Sequence, residues 1–158
     1  MKVFVTADTH FFHEKVINFS KRPFRNVEEM NRVMIDKWNK KASKNDIVIH
    51  LGDFAWASKE KIKFIRSQLN GTIFIVPGNH DWKRTLSKSG FIVLKEKVRM
   101  GNLLLTHKPI RTNGCVINLH GHLHQLKSAH GINACVDVTN FEPVPIEKYF
   151  KQAEEMLR

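Results

Sequence analysis

Five times in this chain an apolar run stops on aspartate, asparagine or histidine. KVFVTA precedes Asp8-Thr9-His10, DIVIHL precedes Gly52-Asp53, and TIFIVP precedes Gly78-Asn79-His80-Asp81. LLLT precedes His107, and CVINLHG precedes His122-Leu123-His124. Short runs rich in Val, Ile and Leu, uninterrupted by polar residues, read as strands buried on both faces. In open α/β sheets the strand ends that carry loops are where sites form. The segment NLHGHLH, Asn118 to His124, sharpens the point, because it holds three of the nine histidines of the chain. If the strand runs on, His120, His122 and His124 share one face. Crowded imidazoles repel one another when protonated, and a metal ion is the simplest thing that holds neutral ones together.

The segments between these runs set the architecture. NVEEMNRVMIDKWNKKAS reads as an amphipathic helix with Val27, Met30, Met34 and Trp38 as its apolar stripe and Asn26 with Glu29 as a capping pair. SKEKIKFIRSQLNG is a second helix, opened by Ser58, closed by Asn70-Gly71, with Ile62, Ile65 and Leu69 facing inward. HEKVINFS is a short helix stopped before Pro23. The second half is mainly strand: FIVLKEKVRMGNLLLTHKPI as two strands around Gly101-Asn102, then GCVINLHGHLH and INACVDVTN. Pro145 starts a last helix bearing Ile146, Phe150 and Met156 or Leu157 on one side. The first half is therefore βαβαβ, and the expected fold is an α/β sandwich of two sheets flanked by helices, in one domain spanning residues 1–158.

A hydrophobic share of 42% and a charged share of 26% are those of a globular protein. No apolar run approaches the ~18 residues of a membrane span. The chain begins in a strand without a leader-like segment. Cys115 and Cys135 lie in apolar segments without zinc-finger spacing, and the expectation is two reduced, buried thiols in a cytoplasmic protein. The net charge of +11 attracts polyanions. No helix-turn-helix or RNA-binding aromatic motif accompanies it, so charge alone points to phosphate-rich ligands without naming one.

Asp8, His10, Asp53, Asn79, His107, His122 and His124 offer oxygen and nitrogen donors and no thiolate. Such a set suits manganese, iron, zinc or nickel and disfavours a zinc–thiolate site. It is too large for one tetrahedral ion and suits two, if one carboxylate bridges.

The order D-x-H, GD, GNHD, H, GHxH, running from Asp8 to His124, resembles the signature of the calcineurin-like metallophosphoesterases. The longer stretches DTHFFHEKVI, MIDKWNKKASKNDIVIHLGDFA, NGTIFIVPGNHD and VDVTNFEPVPIE resemble a compact bacterial and phage branch of that family. The resemblance implies a four-layer α/β/β/α fold and two divalent ions, manganese foremost. Asp8, His10 and His124 would hold one ion, and Asn79, His107 and His122 the other, with Asp53 bridging. A metal-bridging hydroxide would attack phosphorus in a site left net positive by so few anionic ligands. His80 would contact the phosphate, together with Asn79, and help the leaving oxygen depart; Asp81 would orient His80.

The remaining candidates carry two readings each. His13, Lys108 and Arg111 are candidate substrate contacts, against a reading of loop and solvated charges. His120 falls outside the family pattern, His50 reads as a core histidine and His130 as a loop residue. Phe12 stands where related sequences often carry a small residue. Trp38 reads as core; for Trp56 and Trp82 packing or loop anchoring is favoured over a wall for a base. The expected function is a metal-dependent phosphodiesterase acting on a nucleotide or nucleic-acid substrate. There is no cap domain to select a small monoester, and the basic surface fits nucleic-acid ends. The alternatives are a non-catalytic, metal-stabilised module that binds nucleic acid or protein, and a protein or small-molecule phosphomonoesterase. Retention of Asp53 and His80 weighs against the module, and short loops weigh against a peptide groove.

Overall fold

The computed structural model describes all residues, Met1–Arg158. Strands β1 (Val3–Thr6), β2 (Ile47–His50) and β3 (Thr72–Ile75) alternate with helices α1 (Glu14–Phe19), α2 (Val27–Lys41) and α3 (Lys59–Gln68). Then come α4 (Lys83–Ser87), β4 (Ile92–Val93), the hairpin β5 (Lys97–Met100) and β6 (Leu103–Thr106), and β7 (Ile117–His120). The chain ends with β8 (Ile132–Asn133), a 3₁₀ turn (Val136–Val138), β9 (Val144–Pro145) and α5 (Ile146–Leu157).

The strands form two mixed sheets, ordered β4-β3-β2-β1-β9 and β5-β6-β7-β8. In the first, β1 to β4 are parallel and only β9 runs against β1; in the second, β6, β7 and β8 are parallel and only β5 is reversed. Alternation along the central strands divides the core in two. Phe4, Val48, Ile73 and Ile75 face Met30, Met34, Trp38, Ile62 and Ile65 of α2 and α3. Val5, Ile49 and Val76 point the other way and meet Leu103, Leu105, Ile117 and Leu119 of the second sheet. The stripe Ile146, Tyr149 and Ala153 of α5 packs into that same inter-sheet core. The caps form as the sequence predicts: Asn26 accepts from the Glu29 amide at 2.9 Å, and Ser58 from the Lys61 amide at 3.4 Å.

Four details differ from expectation. Ile92–Val93 leaves the second-half strands and pairs with β3. Of INACVDVTN only Ile132–Asn133 pairs with β7; Cys135 bridges Ala7, and the chain then turns at Val136, because Asp137 is drawn inward by Arg22 and His124. The short edge strand β9 and the five-residue α4 lack a period long enough to read in the sequence. Cys135 is buried as expected, but Cys115 is exposed; both are free thiols.

His50 occupies the α2/α3 face of β2, fully buried. Its Nδ1 accepts from the Gly52 amide at 3.1 Å, so the neutral ring carries its proton on Nε2, 3.0 Å from Thr9 Oγ1. Thr9 passes its own proton to the Phe54 carbonyl at 2.8 Å. Every polar atom of this trio is thus used in tying the turn after β1 to the turn after β2. Burial pushes the imidazole down to about 3. Between pH 6.5 and that value the unfolded chain binds a proton that the folded chain refuses. Stability therefore falls with falling pH by about 1.4 kcal/mol per unit from this residue. Urea unfolding in chelator at pH 7 and pH 5 should show a smaller loss of stability for His50→Gln than for the wild type, by about 2 kcal/mol; equal losses would refute the neutral buried histidine.

Candidate metal centre

The carboxyl ends of β1, β2 and β3 in one sheet and of β6 and β7 in the other open on the same side of the sandwich, and the polar blocks follow them. The turns are laced by backbone: Asp8 N to Gly52 O at 3.0 Å, His10 N to Asp53 O at 3.1 Å and Gly121 N to His107 O at 2.9 Å. The His122 amide donates to Asp8 Oδ2 at 2.8 Å and so joins the two sheets. Asp8, His10, Asp53, His122 and His124 all have left-handed backbone, with φ of 57°, 48°, 56°, 72° and 50°. A non-glycine residue adopts that region at about 1 kcal/mol or more each. Five such residues around one space mark a site whose geometry is imposed by the rest of the fold. Two motif glycines make the room. A Cβ on Gly78 would collide with Asp53 Oδ1 and N, and one on Gly121 with Asp8 Oδ2.

Two clusters result. The donor atoms of Asp8, His10 and His124 lie within 4.8 Å of one another, as do those of Asp53, His107 and His122. Asn79 Oδ1 stands 2.9 Å from His107 Nε2 and so adjoins the second group. Asp53 Oδ2 lies between the groups, 3.6 Å from His10 Nε2 and 3.5 Å from His107 Nε2. The seven residues predicted as metal ligands are therefore brought together.

The chemistry of the cluster fits a cation. The His107 Nδ1 faces the Leu51 carbonyl at 2.8 Å, an oxygen that can only accept, so Nδ1 carries a proton. In the neutral ring Nε2 is then a lone pair, yet it faces Asn79 Oδ1, Asp53 Oδ2 and, at 3.3 Å, His122 Nδ1. A cation there would be held by all three neighbours. Burial opposes a proton at this nitrogen, but Asp53 and Asp8 outweigh burial and raise the His107 pKa. Across the site, Asp8 Oδ1 and His10 Nε2 are buried and have no hydrogen-bond partner. Burial pushes the Asp8 carboxyl up to about 6 and drives the His10 imidazole far down, leaving it neutral. Burial also opposes ionisation of Asp53, but His107, the His80 amide and His10 prevail and hold it well below the usual carboxylate range. Unpartnered buried oxygen and nitrogen of this kind is what a divalent cation satisfies.

A second ring of residues aims the first. His124 Nδ1 donates to Asp137 Oδ2 at 3.0 Å, turning Nε2 toward Asp8 and His10. Asp137 receives both arms of the buried Arg22 guanidinium at 2.9 and 3.0 Å, and Arg22 also donates to the Asp8 and Thr9 carbonyls. The sequence reading singled out neither Arg22 nor Asp137; their 115-residue separation carries no local pattern. Cys135 Sγ donates to Asp8 Oδ2 at 2.9 Å, and burial pushes that thiol far above its usual range.

The expected roles of several neighbours are revised. Asp81 does not face His80: its carboxylate accepts from the amides of Asp53, Gly78 and Phe54 at 2.7, 2.9 and 3.0 Å. It clamps the GNHD turn onto the GD turn instead. His80 is exposed, with its amide on Asp53 Oδ1 at 3.0 Å and its Nε2 4.0 Å from Asp53 Oδ2. His13 caps α1, its Nδ1 accepting from the Val16 amide at 3.0 Å; the neutral ring keeps an Nε2–H to offer beside His10. Lys108 lines the cleft with His107 and Asn79, whereas Arg111 lines a separate depression with Arg99 and Cys115, away from the cluster. His120 is a core residue, bonded to the Gly121 carbonyl and the Ser128 hydroxyl, both at 2.7 Å. Phe12 takes a left-handed φ of 64°, the reason glycine suits that position, and its ring turns to Lys61 on α3, not toward His13. Trp56 and Trp82 are exposed and outside the core; Trp56 has the rings of His13 and His80 against it.

A family model described as calcineurin-like phosphoesterase matches residues 1–155. An uncharacterized protein of Methanocaldococcus jannaschii is 33% identical over 173 aligned positions, covering 98% of this chain and 92% of its own. Among solved structures, a protein of unknown function from Aquifex aeolicus superimposes with a TM-score of 0.77 at 24% identity, covering 96% of this chain and 98% of that one. A nuclease of Pseudomonas putida superimposes with a TM-score of 0.55 at 19% identity over 77% of this chain and 61% of its own; at that identity the likeness is one of fold.

Replacing Asp137 by Asn keeps its shape and removes the charge that orients His124. Calorimetric titration with Mn²⁺ should show the affinity of the Asp8-side ion lowered about 10–100-fold. Unchanged affinity in a folded Asp137→Asn protein would mean that His124 is oriented by something else.

Proposed function

The chain belongs to the calcineurin-like phosphoesterase family, and from that premise we propose that it is a dinuclear metal-dependent phosphodiesterase acting on a nucleotide or nucleic-acid substrate. The observation that carries this reading is the His107 lone pair, enclosed by Asp53, Asn79 and His122, beside the unpartnered Asp8 and His10 atoms. Asp8, His10 and His124 would hold one ion, Asn79, His107 and His122 the other, and Asp53 would serve both; manganese suits this oxygen and nitrogen set. Two divalent ions would supply positive charge to the phosphate oxygens and an acidic water able to attack phosphorus at neutral pH.

The protein's own groups have distinct tasks. Asp53 stays anionic, its Oδ1 engaged by the His80 amide and its Oδ2 turned to the imidazoles. His80, reached by solvent and fixed through its own backbone to Asp53, holds a proton for the departing oxygen. Asp81 keeps the two turns in register, and the His80 amide on Asp53 Oδ1 ties these two residues together. His13 Nε2–H, beside His10, and the Lys108 ammonium, in the cleft with His107 and Asn79, would bind phosphate oxygens. No helix is long and apolar enough to cross a membrane. The free thiols Cys115 and Cys135 fit a reducing compartment, and the reading extends to a cytoplasmic protein. The net charge of +11 supports a polyanionic substrate.

Chelator-stripped protein should not turn over bis-(p-nitrophenyl) phosphate, and added Mn²⁺ should restore turnover. Asp53→Asn should lower the restored rate at least about 100-fold. A folded protein that binds two ions and cleaves no diester with any divalent metal would defeat the diesterase reading. It would favour a phosphomonoesterase or a metal-stabilised binding module.

A further inference from the structure

Beside the metal centre lies a hollow that the phosphate chemistry does not use. The three tryptophans differ in kind. Trp38 is buried and donates its indole N–H to the Asn70 carbonyl at 3.0 Å, as a core residue does. Trp56 is 54% and Trp82 80% exposed. They follow the GD and GNHD turns and, with Ala55, Ile62 and Leu86 beneath them, bound a cavity of about 360 Å³. His80 stands at its edge toward the metal centre, and Lys59 at its rim. Trp56 is held edge-on between His13 and His80, with ring centroids 5.1 and 5.0 Å away, so this wall is set before any ligand arrives.

Two exposed indoles over an apolar floor, opening directly onto a polar site, call for a flat apolar ligand part joined to a charged one. The volume lies near the lower end of the ~300–1,000 Å³ usual for small-ligand sites, which suits one ring system and excludes a folded partner. Lys59 and the basic surface select an anionic carrier for that ring. His80 touches both spaces and, in the phosphodiesterase reading on which this rests, serves the departing oxygen; the hollow therefore lies on the leaving-group side. We propose that the cavity between Trp56 and Trp82 is a nucleobase subsite, which receives the base attached to the leaving oxygen of the scissile phosphate.

The test compares adenosine 5′-monophosphate with ribose 5-phosphate, which share the phosphate and sugar and differ by the base. Calorimetry and tryptophan fluorescence on the Mn²⁺-loaded protein should show the nucleotide binding about tenfold tighter or more, with quenching, and Trp82→Ala should abolish the difference. Trp82→Phe should retain most of it, and Trp56→Ala should lower it. Equal binding of the two ligands by the wild type, or a preference that survives Trp82→Ala, would overturn the subsite. Because binding is read without turnover, tryptophan-dependent nucleotide preference in a protein that cleaves no diester would uphold the subsite while the phosphodiesterase reading fell.

Discussion

Two carboxylates, Asp8 and Asp53, are buried at the mouth of a sandwich with imidazoles among their nearest ionisable neighbours. Burying such groups is unfavourable unless charge is returned to them, and here the rest of the structure is arranged around that need. The parallel strands bring five turns to one edge. In three of them, after β1, β2 and β7, the backbone enters the left-handed region, at Asp8, His10, Asp53, His122 and His124. Gly78 and Gly121 leave the volume that the carboxylate oxygens occupy. No single turn would hold this shape alone; the hydrogen bonds between turns impose it.

The polar atoms around the centre are mostly accounted for by one partner each, and the exceptions carry the meaning. His50, Thr9 and Phe54 close a satisfied chain behind the GD turn. Asp81 satisfies three amides, and Arg22 with Asp137 satisfies two carbonyls and His124. Against this background Asp8 Oδ1 and His10 Nε2 are left bare, and His107 Nε2 meets the oxygens of Asn79 and Asp53 and the Nδ1 of His122. A buried carboxylate oxygen and an imidazole nitrogen left without partners side by side, within a ring of bonded groups, suit a cation.

The candidate ligands were legible because each sits at a place that local pattern marks: the first polar residue after an apolar strand. The same rule explains why the capping residues Asn26 and Ser58, the helix stripes and the Gly101-Asn102 hairpin could be read directly. It failed where the deciding partner is distant in sequence. Alternation would have put His120 beside His122 and His124, but Gly121 bends the chain, and His120 turns back to its own turn and Ser128. Asp81 lies next to His80 in sequence yet faces away from it, toward amides of another turn. The apolar character of Trp56, Trp82 and Cys115 suggested burial, and only the shape of the surface reveals that they are exposed.

What the sequence by itself determined was the alternation of strand and helix and the identity of the donors, since both depend on neighbours within a few residues. What only the tertiary structure decided was aim. Arg22 and Asp137, far apart in the chain, orient His124, and Asp53 Oδ2 comes to lie between two clusters drawn from both sheets. Two indoles were left standing over an apolar hollow beside His80. Those relations depend on directions in space set by sheet packing and by five left-handed residues in three turns, and no linear pattern encodes a direction until the chain has closed on itself.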